Sequence, residues 1–600
     1  MLKRFGLLVL GLIFLGAAAL WAISRPPPPL EKSPVITLDT GAISGGWTNE
    51  RKAIAVYNGI PFAAPPTGEL RWAPPAAAIP WTDVRDGRAF GAECLQYREG
   101  LERFISDLVA GHGLGWFKTR LSGLVVGMMP DPVESEDCLF LNVRTGNLNG
   151  GEPKPVMVWI HGGSHNSGAG SDQPYQSDGL VEKGVVLVTI NYRLGALGYL
   201  AHPALSAESP QNSSGNYGLL DQIKALEWVQ ANIAKFGGDP GNITLFGESA
   251  GAQSITEIMA SPLGDGLYHK AILQSGSSTY NRIHLSRDIE ATRSAEAVGE
   301  DFLAPLLADG GRGATAAQLR DVPGTAIIDR VPDAEALTGY FLPNVDGWVL
   351  PRMIGTTIED GSALKVPVLA GYNADEGTLF YSEDLAKPTV LHPGAFPNTH
   401  TARLALMDDI YGEDRAARLI SLYGMETEAD WHKGAVDMLG DDIFGVHMRF
   451  LAKANARTGQ PTWAYFFTRT PASPTQTLGA FHASDLAFVF DSHHPFLEAT
   501  EADFSLTDAM GTYWTNFAKT GDPNGNGLPA WPAYTETADT WMHLDHTLGT
   551  LTGVRSGKLD IMEAVLREKL AMSAALSIEG SSAPVSSSVT EEQAANALQP

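Results

Sequence analysis

Asn242-Ile243-Thr244-Leu245-Phe246-Gly247-Glu248-Ser249-Ala250-Gly251 runs as a short apolar strand and breaks into the pattern G-x-S-x-G. A serine hydroxyl is a weak nucleophile at its ordinary pKa. It needs a neighbouring base, a sharp turn that lifts it clear of the backbone, and donors for the oxyanion that its attack creates. Glycines 247 and 251 suit such a turn, where a Cβ would crowd the chain. Because so short a pattern recurs by chance in a chain with 64 glycines among 600 residues, the surrounding segments must decide what Ser249 is.

On both sides of this stretch, strand alternates with helix. Residues 156–160 and 185–190 are almost wholly apolar, as strands buried on both faces are. Leu219, Leu220, Ile223, Leu226, Val229 and Ile233 recur at three- and four-residue steps up to Gly237-Gly238, the pattern of a helix with a glycine stop. A helix over 254–259 follows the Ser249 strand, and further strands are expected at 271–273, 366–370 and 463–467. This order predicts an α/β fold with a mainly parallel central sheet flanked by helices. Short apolar runs punctuated by Gly and Pro from Val35 to Trp81 predict a small N-terminal antiparallel sheet. Long helical insertions are expected over 288–353 and 402–459.

The composition is that of a globular chain, 44% hydrophobic and 18% charged, with ample material for a core. With 68 acidic against 42 basic residues the net charge is -26, which repels phosphate backbones and argues against nucleic acid as a partner. Lys3 and Arg4, an apolar run from Phe5 to Ile23 and the prolines 26–29 form an export signal. Residues 1–24 are read as the signal peptide of a periplasmic or secreted protein, with small-residue cleavage sites after Ala19 or Ala22. The alternative is an uncleaved signal anchor, since the run is near the lower length for crossing a bilayer, with the catalytic domain held outside the cytoplasm. Residues 25–34 then form a Pro-rich linker, 35–576 a single catalytic domain, and 577–600, rich in Ser, Ala, Glu and Gln, a disordered tail. Cys94 and Cys138 are the two cysteines of the chain, and an oxidising compartment predicts that they pair; the alternative is two buried thiols. Between them Leu101, Phe104, Ile105, Leu108 and Val109 fall on one helical face, with Trp116 beyond. This loop is read either as a lid or pocket wall, or as a cover for the core.

Upstream of Ser249 a buried strand ends in His161-Gly162-Gly163-Ser164, what a loop of oxyanion-binding amides looks like in sequence. Downstream, Asp375-Glu376-Gly377 and His482 each follow an expected strand, in the order acid then histidine. Gly59-Ile60-Pro61-Phe62-Ala63, Pro66-Thr67-Gly68-Glu69-Leu70-Arg71-Trp72, Glu136-Asp137-Cys138-Leu139-Phe140-Leu141-Asn142-Val143, Asn191-Tyr192-Arg193-Leu194-Gly195, Phe236-Gly237-Gly238-Asp239-Pro240 and Gly521-Asp522-Pro523-Asn524 complete the pattern. From about Val35 to Leu570 the chain resembles the type-B carboxylesterases, the cholinesterase-like branch of the α/β-hydrolases.

The resemblance implies a catalytic triad of Ser249, Glu376 and His482, oxyanion amides from Gly163, Ser164 and Ala250, and Ser275 supporting the triad from behind. It also implies a Cys94–Cys138 disulfide and structural ion pairs Arg71–Glu136 and Arg193–Asp221. Neither cofactor nor metal is implied. Ser164 stands where the family usually has a third glycine, and its side chain is expected to enter the site. Glu248 is read as structural, its side chain directed away from the chemistry. Trp116 cannot be aligned with the tryptophan that receives quaternary ammonium in cholinesterases, which argues against choline esters. The expected activity is hydrolysis of small to medium carboxylic esters through an acyl-enzyme; the alternatives are a lipase with the disulfide loop as lid and a non-catalytic binding protein. His493-His494 lacks partners at zinc spacing and His165 is read as a packed loop residue. Asn212 and Asn242 open glycosylation sequons by pattern.

Overall fold

In the strand Lys154–Ile160 (β8) successive residues enter opposite cores: Val156, Val158 and Ile160 one, Met157 and Trp159 the other. Such two-sided burial needs a helical layer on each face. The protein was analysed as a computed structural model, which describes residues 29–579 apart from 50, 99–105, 107, 110, 114–131, 281–282, 290–291, 332–340, 364, 381–396, 398, 472–474 and 494–498. The expected export segment 1–24, most of the disulfide loop including Trp116, His494 and the tail from 580 therefore lie outside the described residues.

The remaining strands are β1 Lys32–Thr37, β2 Ala42–Trp47, β3 Ala55–Pro61, β4 Arg85–Asp86, β5 Glu93–Cys94, β6 Glu134–Ser135, β7 Phe140–Thr145, β9 Val186–Ile190, β10 Gly238–Glu248, β11 Lys270–Gln274, β12 Val368–Asn373, β13 Thr462–Phe467, β14 Thr540–Leu544 and β15 Gly549–Thr552. They form a 13-stranded sheet in the order β1-β2-β3-β7-β9-β8-β10-β11-β12-β13-β14-β15, with β4 against β2 and β5 pairing β6 apart from it. From β9 through β14 neighbours are parallel, and both edges are antiparallel. The N-terminal antiparallel strands are thus continuous with the central sheet, joined to it through β7.

The helices used below are α1 Tyr217–Asn232, α2 Ala250–Ala260, α3 His400–Tyr411, α4 Glu413–Tyr423, α5 Glu428–Gly440, α6 Val446–Arg457, α7 Glu501–Thr520 and α8 Ser556–Glu579. Leu219, Leu226 and Val229 of α1 and Ile255 and Ile258 of α2 fill the core on one face; Met510, Tyr513, Trp514 and Phe517 of α7 fill that on the other. Gly237, at φ 77°, ends the turn after α1 in the left-handed conformation a glycine allows.

Two boundaries differ from the sequence reading. β1 takes residues 32–34 of the expected linker, because Lys32 and Val35 pair with Gly46 and Ser44. α8 takes residues 577–579 of the expected tail, continuing a helix anchored by buried Leu559, Met562, Leu566 and Leu570. Among the described residues no helix is long and apolar enough to cross a membrane.

Candidate active site

Ser249 is the turn between β10 and α2, at φ 54° and ψ −124°, a conformation that a non-glycine residue adopts only when its surroundings impose it. The flanking glycines let those surroundings close in. A Cβ on Gly251 would lie 2.0 Å from the Ile160 carbonyl oxygen, and one on Gly247 2.7 Å from the carbonyl carbon of Gly251. The Ser249 amide donates to the Gln274 carbonyl at 2.9 Å. Its hydroxyl has no hydrogen-bond partner among the described residues.

β12 ends at Asn373, and the next turn carries Glu376, 1% exposed. Three donors hold its carboxylate: Ser275 Oγ to Oε1 at 2.5 Å, the Asn373 amide to Oε1 at 2.7 Å, and His482 Nδ1 to Oε2 at 2.6 Å. The loop bearing His482 is fastened to the same place, since the Ala480 amide donates to Asp375 at 2.7 Å and Asn373 Nδ2 to the Phe481 carbonyl at 2.9 Å. Ser275, Glu376 and His482 are brought together in one hydrogen-bonded run.

Glu248 is a correction. It was expected to point away, yet its Oε1 lies 3.0 Å from His482 Nε2, though without the alignment of a hydrogen bond. The strained turn at Ser249 brings the preceding side chain under the histidine. Burial disfavours the Glu248 carboxylate and raises its pKa, with the His482 charge opposing. Burial also works against imidazolium at His482, but Glu248 and then Glu376 outweigh it and raise the histidine. The pair therefore keeps a proton to higher pH than an isolated histidine does.

Gly163, Ser164 and His165 follow β8 with consecutive φ values of 102°, 56° and 58°. The Gly163 carbonyl accepts from the amides of Asn166 and Ser167 at 2.9 and 3.0 Å, curling the loop. Among the described residues the amides of Gly163, Ser164 and Ala250 have no acceptor outside regular elements. The Ser164 residue is exposed. His165 is buried, its ring edge-on to Tyr199 at 5.2 Å, as a packed residue would be.

Sequence reading missed the supports from Gln96 and Asp485, though not the disulfide and the two ion pairs. Gln96, 4% exposed and two residues from Cys94, accepts from the Gly168 amide at 2.8 Å and donates to the Cys94 carbonyl at 3.2 Å. It thereby ties the root of the disulfide loop to the loop of Gly163 and Ser164. Buried Asp485 accepts from Gln274 at 2.7 Å, behind the elbow. Cys94–Cys138 is a disulfide with Cα atoms 4.9 Å apart. Arg71 grips Glu136 through two bonds at 2.6 and 2.5 Å, and Arg193 grips Asp221 through two at 2.7 Å. His493 bonds Thr507, and no metal-holding cluster occurs among the described residues.

A buried histidine lies between two carboxylates, one of them Glu248 at the strained strand-to-helix turn of an α/β-hydrolase fold. The model of the Carboxylesterase family matches residues 32–561; the chain belongs to this family and is a serine ester hydrolase. It is 35% identical over 502 residues to a fumonisin B1 esterase of Sphingopyxis macrogoltabida, covering 82% of this chain and 83% of the other. It is 32% identical over 521 residues to the para-nitrobenzyl esterase of Bacillus subtilis (strain 168), covering 85% and 94%. Among solved structures, a PNB esterase superposes with TM-score 0.71 at 30% identity, covering 88% of this chain and 99% of that one. A Geobacillus stearothermophilus carboxylesterase gives 0.70 at 29% identity, with the same coverage.

Proposed function

We propose that Ser249 is the acylated nucleophile, His482 the general base and acid, and Glu376 the group that fixes the imidazole tautomer and stabilises the imidazolium. The observation that carries this is the run Ser275 Oγ, Glu376, His482 Nδ1, with bonds of 2.5 and 2.6 Å, beside the Ser249 elbow. With Nδ1–H given to Glu376, Nε2 is the nitrogen left to take a proton. Substrate binding brings the Ser249 hydroxyl onto it, since catalytic hydrogen bonds tighten in the Michaelis complex. The amides of Gly163, Ser164 and Ala250 receive the oxyanion. His482 protonates the leaving alcohol, then activates the water that releases the acid.

The substrates we propose are small to medium carboxylic esters, and Ser275 acts only as a brace. The apolar run 5–23 supports export to the periplasm or medium; retention on the membrane by that run is the second reading. A fluorophosphonate should label the parent and fail to label Ser249→Ala, whose kcat drops on the order of 10⁴-fold or more. An unlabelled parent sinks the assignment. Rates on p-nitrophenyl esters of increasing chain length test substrate size: a jump above the solubility limit favours a lipase.

A further inference from the structure

We propose that Phe444 is a positioning residue for His482, its ring lying against the imidazole face and setting the plane in which Nε2 meets the Ser249 hydroxyl. This rests on the reading of Ser249 and His482 above. The two rings stack with centroids 4.5 Å apart and planes 24° apart. Phe380 meets the same imidazole edge-on at 5.0 Å and packs on Phe444 at 5.6 Å. Glu376 alone cannot fix the plane. One hydrogen bond at Nδ1 sets where that nitrogen sits, while the torsion that turns the ring has a broad energy well. A flat group along the face removes that freedom, and orientation of the reacting nitrogen strongly affects rate.

The delivery of Phe444 is built into the backbone. α5 and α6 are joined by a π-helical turn, Asp441–Gly445, a rare and wider turn frequent at functional sites. Asp441 accepts from Tyr423 and from Arg555, both at 2.6 Å, and Arg555 also donates to the Ala374 carbonyl at 2.6 Å. Ala374 lies two residues before Glu376, so the groups at the face and at the edge of His482 share one brace. Gly440 permits the approach, since a Cβ there would lie 2.9 Å from the Gly377 nitrogen and 3.1 Å from Glu376 Cβ.

An aromatic face also favours imidazolium over imidazole, which gives the role a signature. The charged and titratable groups around His482 are Glu376 at Nδ1 and Glu248 at Nε2. Asp485, on its own segment, is bound by Gln274 and Tyr465, and Asp441 lies behind Phe444, paired with Arg555. None of these changes in a Phe444 variant.

The test is kcat, KM and the pH profile of kcat/KM on p-nitrophenyl acetate and butyrate for the parent, Phe444→Leu, Phe444→Met and Phe444→Tyr. Leu and Met should lower kcat roughly tenfold or more at nearly unchanged KM and move the acid limb to lower pH by about half a unit. Tyr should retain both parent values. Two apolar replacements guard against one that folds poorly, and fluorophosphonate labelling of Ser249 in each shows an assembled site. A parent-like kcat and limb in both variants overturns the proposal, as does a change confined to KM that grows with acyl length. Failure of the parent to label at Ser249 instead removes the triad reading, and the proposal with it.

Discussion

Glu248 and His482 meet at 3.0 Å with side chains only 5% exposed, and the proton they hold must leave before the histidine can act as base. The acid limb of kcat/KM is therefore expected above the ordinary histidine value of about 6.5. Removing the negative group removes a reason for imidazolium to persist, so in Glu248→Gln the limb should move to lower pH. A limb left unmoved in the pH–rate profile would show that Glu248 does not act on His482. Ser249, Glu376 and His482 were legible because each sits where an apolar run breaks, and strand ends are visible locally. The direction of Glu248 was not, because it depends on a φ of 54° at its neighbour, imposed by contacts with β8.

Between elements, the elbow works because α2 starts almost in contact with the end of β8. Gly251→Ala would place a Cβ 2.0 Å from the Ile160 oxygen, and backbone on both sides cannot yield cheaply. We expect a loss of about 1–3 kcal/mol or more in urea titration, together with loss of esterase activity. Gln96 is the corresponding link for the oxyanion loop. Gln96→Leu keeps the volume but takes the Gln96 acceptor from the half-buried Gly168 amide, at a cost of about 0.5–1.5 kcal/mol, and kcat should fall more than KM rises. An unchanged kcat would show that the loop holds its curl without Gln96. Alternation and three- to four-residue periodicity located the strands and helices. They could not locate Gln96, whose partner Gly168 is 72 residues away, nor the π-turn that presents Phe444.

For the whole molecule, the disulfide closes a separation of 44 residues, worth about 4 kcal/mol in the chain-entropy model. Cys94→Ser with Cys138→Ser should lower the urea midpoint accordingly, and an unchanged midpoint would show that the bond does not stabilise the fold. Stability should also fall as pH rises from about 6.5 to 8.5. Burial raises Glu257 from 4.5 to about 8, with a bond from Ser278 opposing. Over that interval the unfolded chain has already lost a proton that the folded state retains, and this favours unfolding as pH rises. The Glu248–His482 pair acts in the same direction. His161 and His447, lowered by burial to about 4, are neutral in the folded state there; their unfolded forms, near about 6.5, shed their remaining protons only at the lower end of the interval, a smaller contribution of opposite sign. Urea midpoints at both pH values test this, and Glu257→Gln should flatten the slope; an equal slope overturns the assignment to Glu257.

The sequence by itself determined the α/β alternation, the elbow at Ser249 and the order of acid and histidine, because hydrophobic period and glycine placement act over a few residues. The tertiary structure alone decided how Glu248, Gln96 and Phe444 bear on the site. Ser275 and Glu376 are 101 residues apart and Glu376 and His482 106. Across such separations distance and orientation follow from sheet order and packing, and these in turn set charge coupling and ring stacking at His482.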